Sequence, residues 1–340
     1  MRRCLLVAAT LFVMFASPAR AAPDYTALNQ AAVQAHILPR YAALSAATAK
    51  FASIAAAGCA DRLAWQAGWA EAMRAWQGVQ HLRFGPVLLF NRYQRFAFWP
   101  DARNSMPRQL NEIFATKRLP DFAIGSIAVQ GLSALERNLF DATEAAKLNS
   151  DVFRCAWAQA AAQNLAEMAT AIEQDWRSGR HYAAQFVAAK GDLVAFAGPQ
   201  EATQELFKAL YGAIELVADH KLARPLGKGG RDARPMAAEH WRSGLSGAAI
   251  GANIAAAREL YASFAPQLAD AGLRGDLQRR FDDLAQRSAG LDLDRDITDA
   301  PRRPELEKLR ADLLALKTQL GERLAPALGL QIGFNALDGD

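Results

Sequence analysis

The sequence predicts an all-α protein, and three observations carry that prediction. Alanine and leucine are abundant while runs of β-branched residues are scarce, a composition that favours helix over strand. Apolar residues recur at helical spacing: Trp65, Trp69 and Trp76, four and seven apart, share one stripe, the pattern of a packed core. Helical stretches open on capping residues such as Asp24, Asp61 and Asp121 and stop at Gly or Pro. At 340 residues the chain can form one large domain or two bundles.

Residues 1–21 read as a cleavable signal peptide. Arg2 and Arg3 make a basic start, Leu5 to Phe15 an apolar run, and Ala19-Arg20-Ala21 a cleavage site. The run is too short to stay in a bilayer as an anchor, and Cys4 precedes it, so it is not placed as a lipoprotein cysteine. Cleavage removes Arg2, Arg3 and Arg20 and no acid, which takes three from the net charge of +4. No polybasic run remains to bind nucleic acid or an anionic membrane. The expectation is a soluble bacterial periplasmic protein whose mature chain has no transmembrane segment. In an oxidising compartment Cys59 and Cys155 are expected to pair, although two separate buried thiols would also satisfy the sequence.

In order, the elements are as follows. Asp24 caps a helix to Ala57 that Pro39 should kink, and Asp61 caps another to about Gln80. His81 to Phe98 breaks the pattern, with a turn at Gly85-Pro86. Trp99-Pro100-Asp101 is a second turn, and Pro107 opens a helix to about Ala115. Arg83, Arg92, Arg95, Arg103 and Arg108 cluster here as candidate partners for a carboxylate or an anionic ligand. A central helix spans Asp121 to Asp141. Further helices run from about Asp151 to Lys190, Gln204 to Leu222, Ala237 to Ala269, Arg274 to Leu291 and Pro304 to Leu328. Arg224 to Pro235 reads as an exposed loop. Its GKGGR lacks both the spacing and the leading strand of a phosphate loop.

Two polar clusters stand out. With residues about 100° apart, Ile124, Ala128, Leu132, Leu135, Leu139 and Glu136 fall on one arc of the central helix, with Ser133 at its edge. Gln130, Ala134, Arg137 and Asn138 fall opposite. A carboxylate inside an apolar arc must be neutral, paired or metal-bound. Gly131 leaves a gap where something can approach the backbone. The second cluster is Glu239, His240, Trp241, Arg242, Ser243 and Ser246, with Arg242 and Ser246 on one face of the predicted helix. There is no HExxH, GxSxG, CxxC or dinucleotide fingerprint, so the residues name no reaction.

Three segments together resemble the imelysin family: Trp99-Pro100-Asp101 with Gln109-Leu110; Gly131 to Glu136 followed by Leu139-Phe140; and Glu239 to Ser243 with the C-terminal Ile332 to Asp340. The resemblance implies two four-helix-bundle-like halves, here 22–190 and 191–340, with a site at their interface. It also implies a GxHxxE motif, in which Gly131 and Glu136 match and Ser133 stands in place of the histidine. The implied ligand-binding candidates are Glu136, Ser133, Gly131, Asp101, Arg83, Arg103, Glu239, Arg242 and Ser246, with Glu136 also a metal ligand for iron or another divalent metal. The implied partners are a small ligand or metal ion and proteins of the cell envelope or of iron uptake. Three roles follow: a non-enzymatic binding protein connected to iron, an imelysin-type peptidase, and a structural module of the envelope.

Overall fold

The computed structural model describes residues 22–331. The signal peptide, its cleavage site, Cys4 and the segment 332–340 lie outside the described residues.

Helix α1 (Tyr25–Ala32) starts where the Asp24 carboxylate accepts from the Ala27 amide at 2.9 Å. One π-turn (Val33–Ile37) leads into α2 (Leu38–Ala56), and Pro39 sits in the first turn of α2, where its missing N–H costs nothing. The expected irregularity is therefore a π-turn before Pro39 rather than a kink at it. Then follow α3 (Arg62–Gln77), α4 (Arg92–Phe96), α5 (Ser105–Thr116), α6 (Gly131–Phe140) and α7 (Ala142–Leu148). Next come α8 (Val152–Arg177), α9 (Tyr182–Ala188) and α10 (Pro199–Glu215), the last running through a π-turn (Leu216–Leu222) into α11 (Ala223–Leu226). The chain closes with α12 (Ser246–Phe264), α13 (Ala271–Ser288), α14 (Leu293–Asp296), α15 (Arg303–Gln319) and α16 (Ala325–Ala327). No strand occurs among the described residues, and no helix there is long and apolar enough to cross a membrane.

Two rings of four helices make the architecture. In the first, α2 packs on α3 and α8, and α6 closes the ring between α3 and α8. In the second, α12 packs on α10 and α13, and α15 closes the ring between them. Helix α3 lies against α12, and α1 runs against α10 and α12, so the rings share one continuous apolar core. The tryptophan stripe of α3 is wholly inside it. Trp65 meets Phe51 edge-on at 5.6 Å, and Trp76 stacks on Phe96 at 4.6 Å. Cys59 and Cys155 form a disulfide with Cα atoms 5.8 Å apart, tying the α2–α3 turn to the first turn of α8.

Three predicted helices need correction. The central one begins at Gly131, not Asp121. The Asp121 carboxylate accepts from Ala123 N and its carbonyl from Gly125 N, a tight turn that leaves Ile124 86% exposed. Gln130, Ala134, Arg137 and Asn138, assigned to the opposite side, are buried too, because α6 is covered all round. The helix predicted from Ala237 begins at Ser246 and ends at Phe264. His240 (φ 64°) and Gly244 (φ 67°) are left-handed there, so 238–245 is a run of turns, and Arg242 and Ser246 share no helix face. The helix predicted to reach Lys190 stops at Arg177, after which α9 forms separately.

A cleft between the two rings

Glu136 projects from the second turn of α6 and is 3% exposed. Its position depends on Gly131, the first residue of that helix. Gly131 has φ +77°, and a Cβ there would lie 2.3 Å from the Arg95 carbonyl oxygen and 2.5 Å from that of Phe96. What approaches the gap foreseen at Gly131 is thus the end of α4. The Trp69 indole donates to the Leu132 carbonyl at 3.0 Å and ties the same turn of α6 to α3.

The partners of Glu136 come from the second ring. Ser243 donates to Oε1 from its backbone N–H (3.0 Å) and its hydroxyl (2.9 Å). His240 Nδ1 lies 3.5 Å from Oε2, and its ring meets Trp69 edge-on at 5.3 Å. A chain of unambiguous donors sets the tautomer. The Lys221 ammonium, which can only donate, reaches Gln77 Oε1, Asn253 Oδ1 and Glu239 Oε2. Gln77 therefore turns its amide N–H₂ to His240 Nε2 at 3.0 Å, which in a neutral ring leaves the proton on Nδ1, the atom 3.5 Å from Glu136 and without a hydrogen bond. Glu239 also accepts from Gln80 at 3.1 Å. Burial pulls the Lys221 ammonium below its usual value against the pull of Glu239, while Lys221 holds Glu239 below the usual carboxylate range despite burial. Lys221 lies in the π-turn after α10, whose extra residue aims it inward.

In front of Glu136 opens a cleft of about 410 Å³. The segment 98–107 contributes Phe98, Trp99, Pro100, Met106 and Pro107 to its lining, and the segment 236–242 contributes Met236 to Arg242. Helix α6 adds Ser133 and Glu136, and α11 adds Arg224. Asp101 lines the cleft but is committed, since its two oxygens accept from Ser105 N and Met106 N at 2.8 Å and cap α5. The Arg242 guanidinium lies over the Trp241 ring at 4.4 Å, its Nε buried without a hydrogen-bond partner. Burial draws it below the usual arginine value and Glu136 draws it up.

Of the residues singled out from sequence, Glu136, Ser133, Asp101, Glu239 and Arg242 line this cleft. Gly131 acts behind it. Ser246 is buried behind the 238–245 turns, 3.5 Å from Asp294 Oδ1. Arg83 is elsewhere, over the Tyr93 ring at 4.7 Å, and Arg103 is exposed outside the lining. Arg92 pairs with Asp175 and Arg95 with Gln130 and Asn164, so neither reaches Glu136. His240 and Ser243 belong to the second polar cluster of the sequence, whereas Gln77 and Lys221 carry no local signal there.

The expected metal role of Glu136 meets an incomplete donor set. A protein-held transition metal takes three or four side-chain ligands. Among the described residues no three His, Cys, Asp or Glu come together to hold one. Glu136 and His240 offer two, with Oε1 of Glu136 already engaged by Ser243.

The imelysin family profile matches residues 37–320, most of the chain. The chain belongs to the imelysin family. Among solved structures, it is similar to an imelysin-like protein from Psychrobacter arcticum 273-4, with TM-score 0.76 and 19% identity over 93% of this chain and 100% of that one. It is also similar to a protein of Parabacteroides distasonis ATCC 8503, provisionally named an iron-regulated protein A precursor, with TM-score 0.71 and 15% identity over 89% and 96%. At such identities these two matches speak for the shared fold. No curated protein matches the chain. Ser133 stands three residues before Glu136, and the imidazole beside Glu136 is that of His240, from the turns before α12.

Proposed function

We propose that this imelysin-family chain is an exported, non-enzymatic binding protein that takes a small ligand into the cleft and serves iron or metal acquisition. The observation that carries this reading is a buried carboxylate that lines an open cavity, its Oε1 held by Ser243 and its Oε2 with only the His240 ring beside it at 3.5 Å. A purely structural carboxylate would have both oxygens enclosed by partners and no cavity before it. The iron link draws on the name given to the Parabacteroides distasonis relative. Export draws on the signal-like residues 1–21 and on the Cys59–Cys155 disulfide, a bond at home in an oxidising compartment. Peptidase chemistry is disfavoured because no hydrogen bond joins Ser133 to a base among the described residues, and no three-ligand metal site stands there to replace it.

Calorimetric titration with ferrous, copper and zinc ions and with chelated iron, on the wild type and Glu136→Gln, tests the reading. Glutamine keeps an acceptor for both Ser243 donors, so the variant should stay folded and lose about 1–2 kcal/mol. That is less than the roughly 3–5 kcal/mol of breaking a buried ion pair. Its ligand affinity should fall. Heat with none of these ligands, or unchanged binding by a strongly destabilised variant, would refute the proposal.

A further inference from the structure

The charges of the cleft are satisfied unevenly. Each of its acids has partners: Asp101 is spent on the cap of α5, Glu239 on Lys221 and Gln80, and Glu136 on Ser243 and His240. Its two arginines lack an acid. Neither Arg242 nor Arg224 has a carboxylate at ion-pair distance among the described residues, and Arg242 keeps a buried Nε with no acceptor. Each is instead laid on a tryptophan of the cleft wall, Arg242 on Trp241 at 4.4 Å and Arg224 on Trp99 at 5.8 Å, with Arg224 held by the His220 ring at 3.0 Å. A guanidinium stacked on an aromatic ring keeps its N–H fork free in the plane. Arg224 is shared with a neighbouring cavity of about 840 Å³, which is lined by Lys228, Arg234, Arg303 and Arg310 against the acids Asp232 and Glu307. Of these, Arg303 pairs with Glu307 and Arg310 with Asp219, which leaves Arg224, Lys228 and Arg234 against Asp232, an excess of positive charge that attracts anions.

Resting on the reading of the cleft as a ligand site, we infer that its ligand is an organic oxyanion rich in carboxylates, free or as its ferric chelate. Arg242 and Arg224 hold its carboxylates, and the Trp99 and Met236 walls take its carbon skeleton. The same inference removes the difficulty of the donor set. Two protein donors cannot hold a bare ion, but a chelate brings its own ligands and needs only its outer charge to be recognised.

Titration of the mature chain with citrate, ferric citrate, a cationic ferric trihydroxamate and ferrous sulfate tests this. The wild type should bind citrate or ferric citrate, more weakly as salt is raised. Arg242→Gln should weaken that binding roughly tenfold or more, and Arg242→Lys should restore part of it. Arg224→Gln gives an independent readout should Arg242→Gln fail to fold. Equal affinity for the two citrate forms identifies the carboxylates as the ligand, and preference for the ferric form identifies the chelate. Binding of the cationic chelate or ferrous ion that ignores both arginine variants would overturn the inference and leave the cleft as a site. Heat from none of the four probes would overturn both.

Discussion

Gly131 sets the position of Glu136 because no other residue fits against the two carbonyls that end α4. Alanine there combines a positive φ with a backbone clash, so Gly131→Ala should cost about 2–4 kcal/mol in urea unfolding, well above an ordinary helix substitution. A loss under about 0.5 kcal/mol would contradict this account. Sequence alone marked Gly131 as a place of close approach and Glu136 as buried. The burial of Glu136 holds despite the late start of α6, but the contrast with an opposite face does not, since Ala134, Arg137 and Asn138 are buried as well and Ile124 is exposed. The pairing of His240 with Glu136 is not legible in the sequence. The left-handed backbone of His240 is imposed by the turn that delivers Ser243 to Glu136, a contact between residues 107 apart in sequence.

At the scale of elements, the π-turn after α1 places His36 against His81, beyond the end of α3. Their Nε2 atoms are 2.8 Å apart, and His36 Nδ1 lies 3.1 Å from Glu259. Two facing nitrogens share one proton, so both rings cannot be cations. Burial holds both below the ordinary histidine value of 6.5, helped for His81 by His36 and Arg40, whereas Glu259 pulls His36 the other way. The unfolded chain takes up protons below 6.5 that the fold refuses, so this stability is complete above pH 6.5 and is lost as pH falls below it. Asp294 acts oppositely. Burial, then Asp292, raise it to about 6, so acidification through that value favours the fold. Chemical unfolding between pH 7 and 5 should show stability falling with pH, more steeply in Asp294→Asn, and rising toward pH 5 in a His36→Gln, His81→Gln double variant that keeps Asp294. A stability that rises toward pH 5 in Asp294→Asn would be inconsistent with the histidine pair. The helix boundaries that were misplaced, at Asp121 and Ala237, share one cause. Helical propensity is real in both stretches, but at Asp121 the local turn closed by its own carboxylate and carbonyl outweighs it, and at Ala237 the long-range contact of Ser243 with Glu136 does.

For the whole molecule, helix periodicity and composition were enough to read an all-α chain, because each ring buries stripes that recur locally in sequence. The pairing of the rings was not legible in periodicity, since α3 against α12 and Glu136 against Ser243 join distant segments. The disulfide ties only the first ring, with a sequence separation of 96. Reducing it should lower stability by about 4 kcal/mol on the chain-entropy view, seen as an earlier urea midpoint in dithiothreitol. An unchanged midpoint would mean the bond does not constrain the unfolded chain. The cleft is where the two rings meet, and it is the feature on which the functional reading stands. A crystal structure of the mature protein grown with saturating ferric citrate tests that reading most directly. It should show ligand density between Trp99 and Trp241, within hydrogen-bonding reach of Arg242. A bound ligand seated anywhere else, with the cleft before Glu136 holding only water, would contradict it.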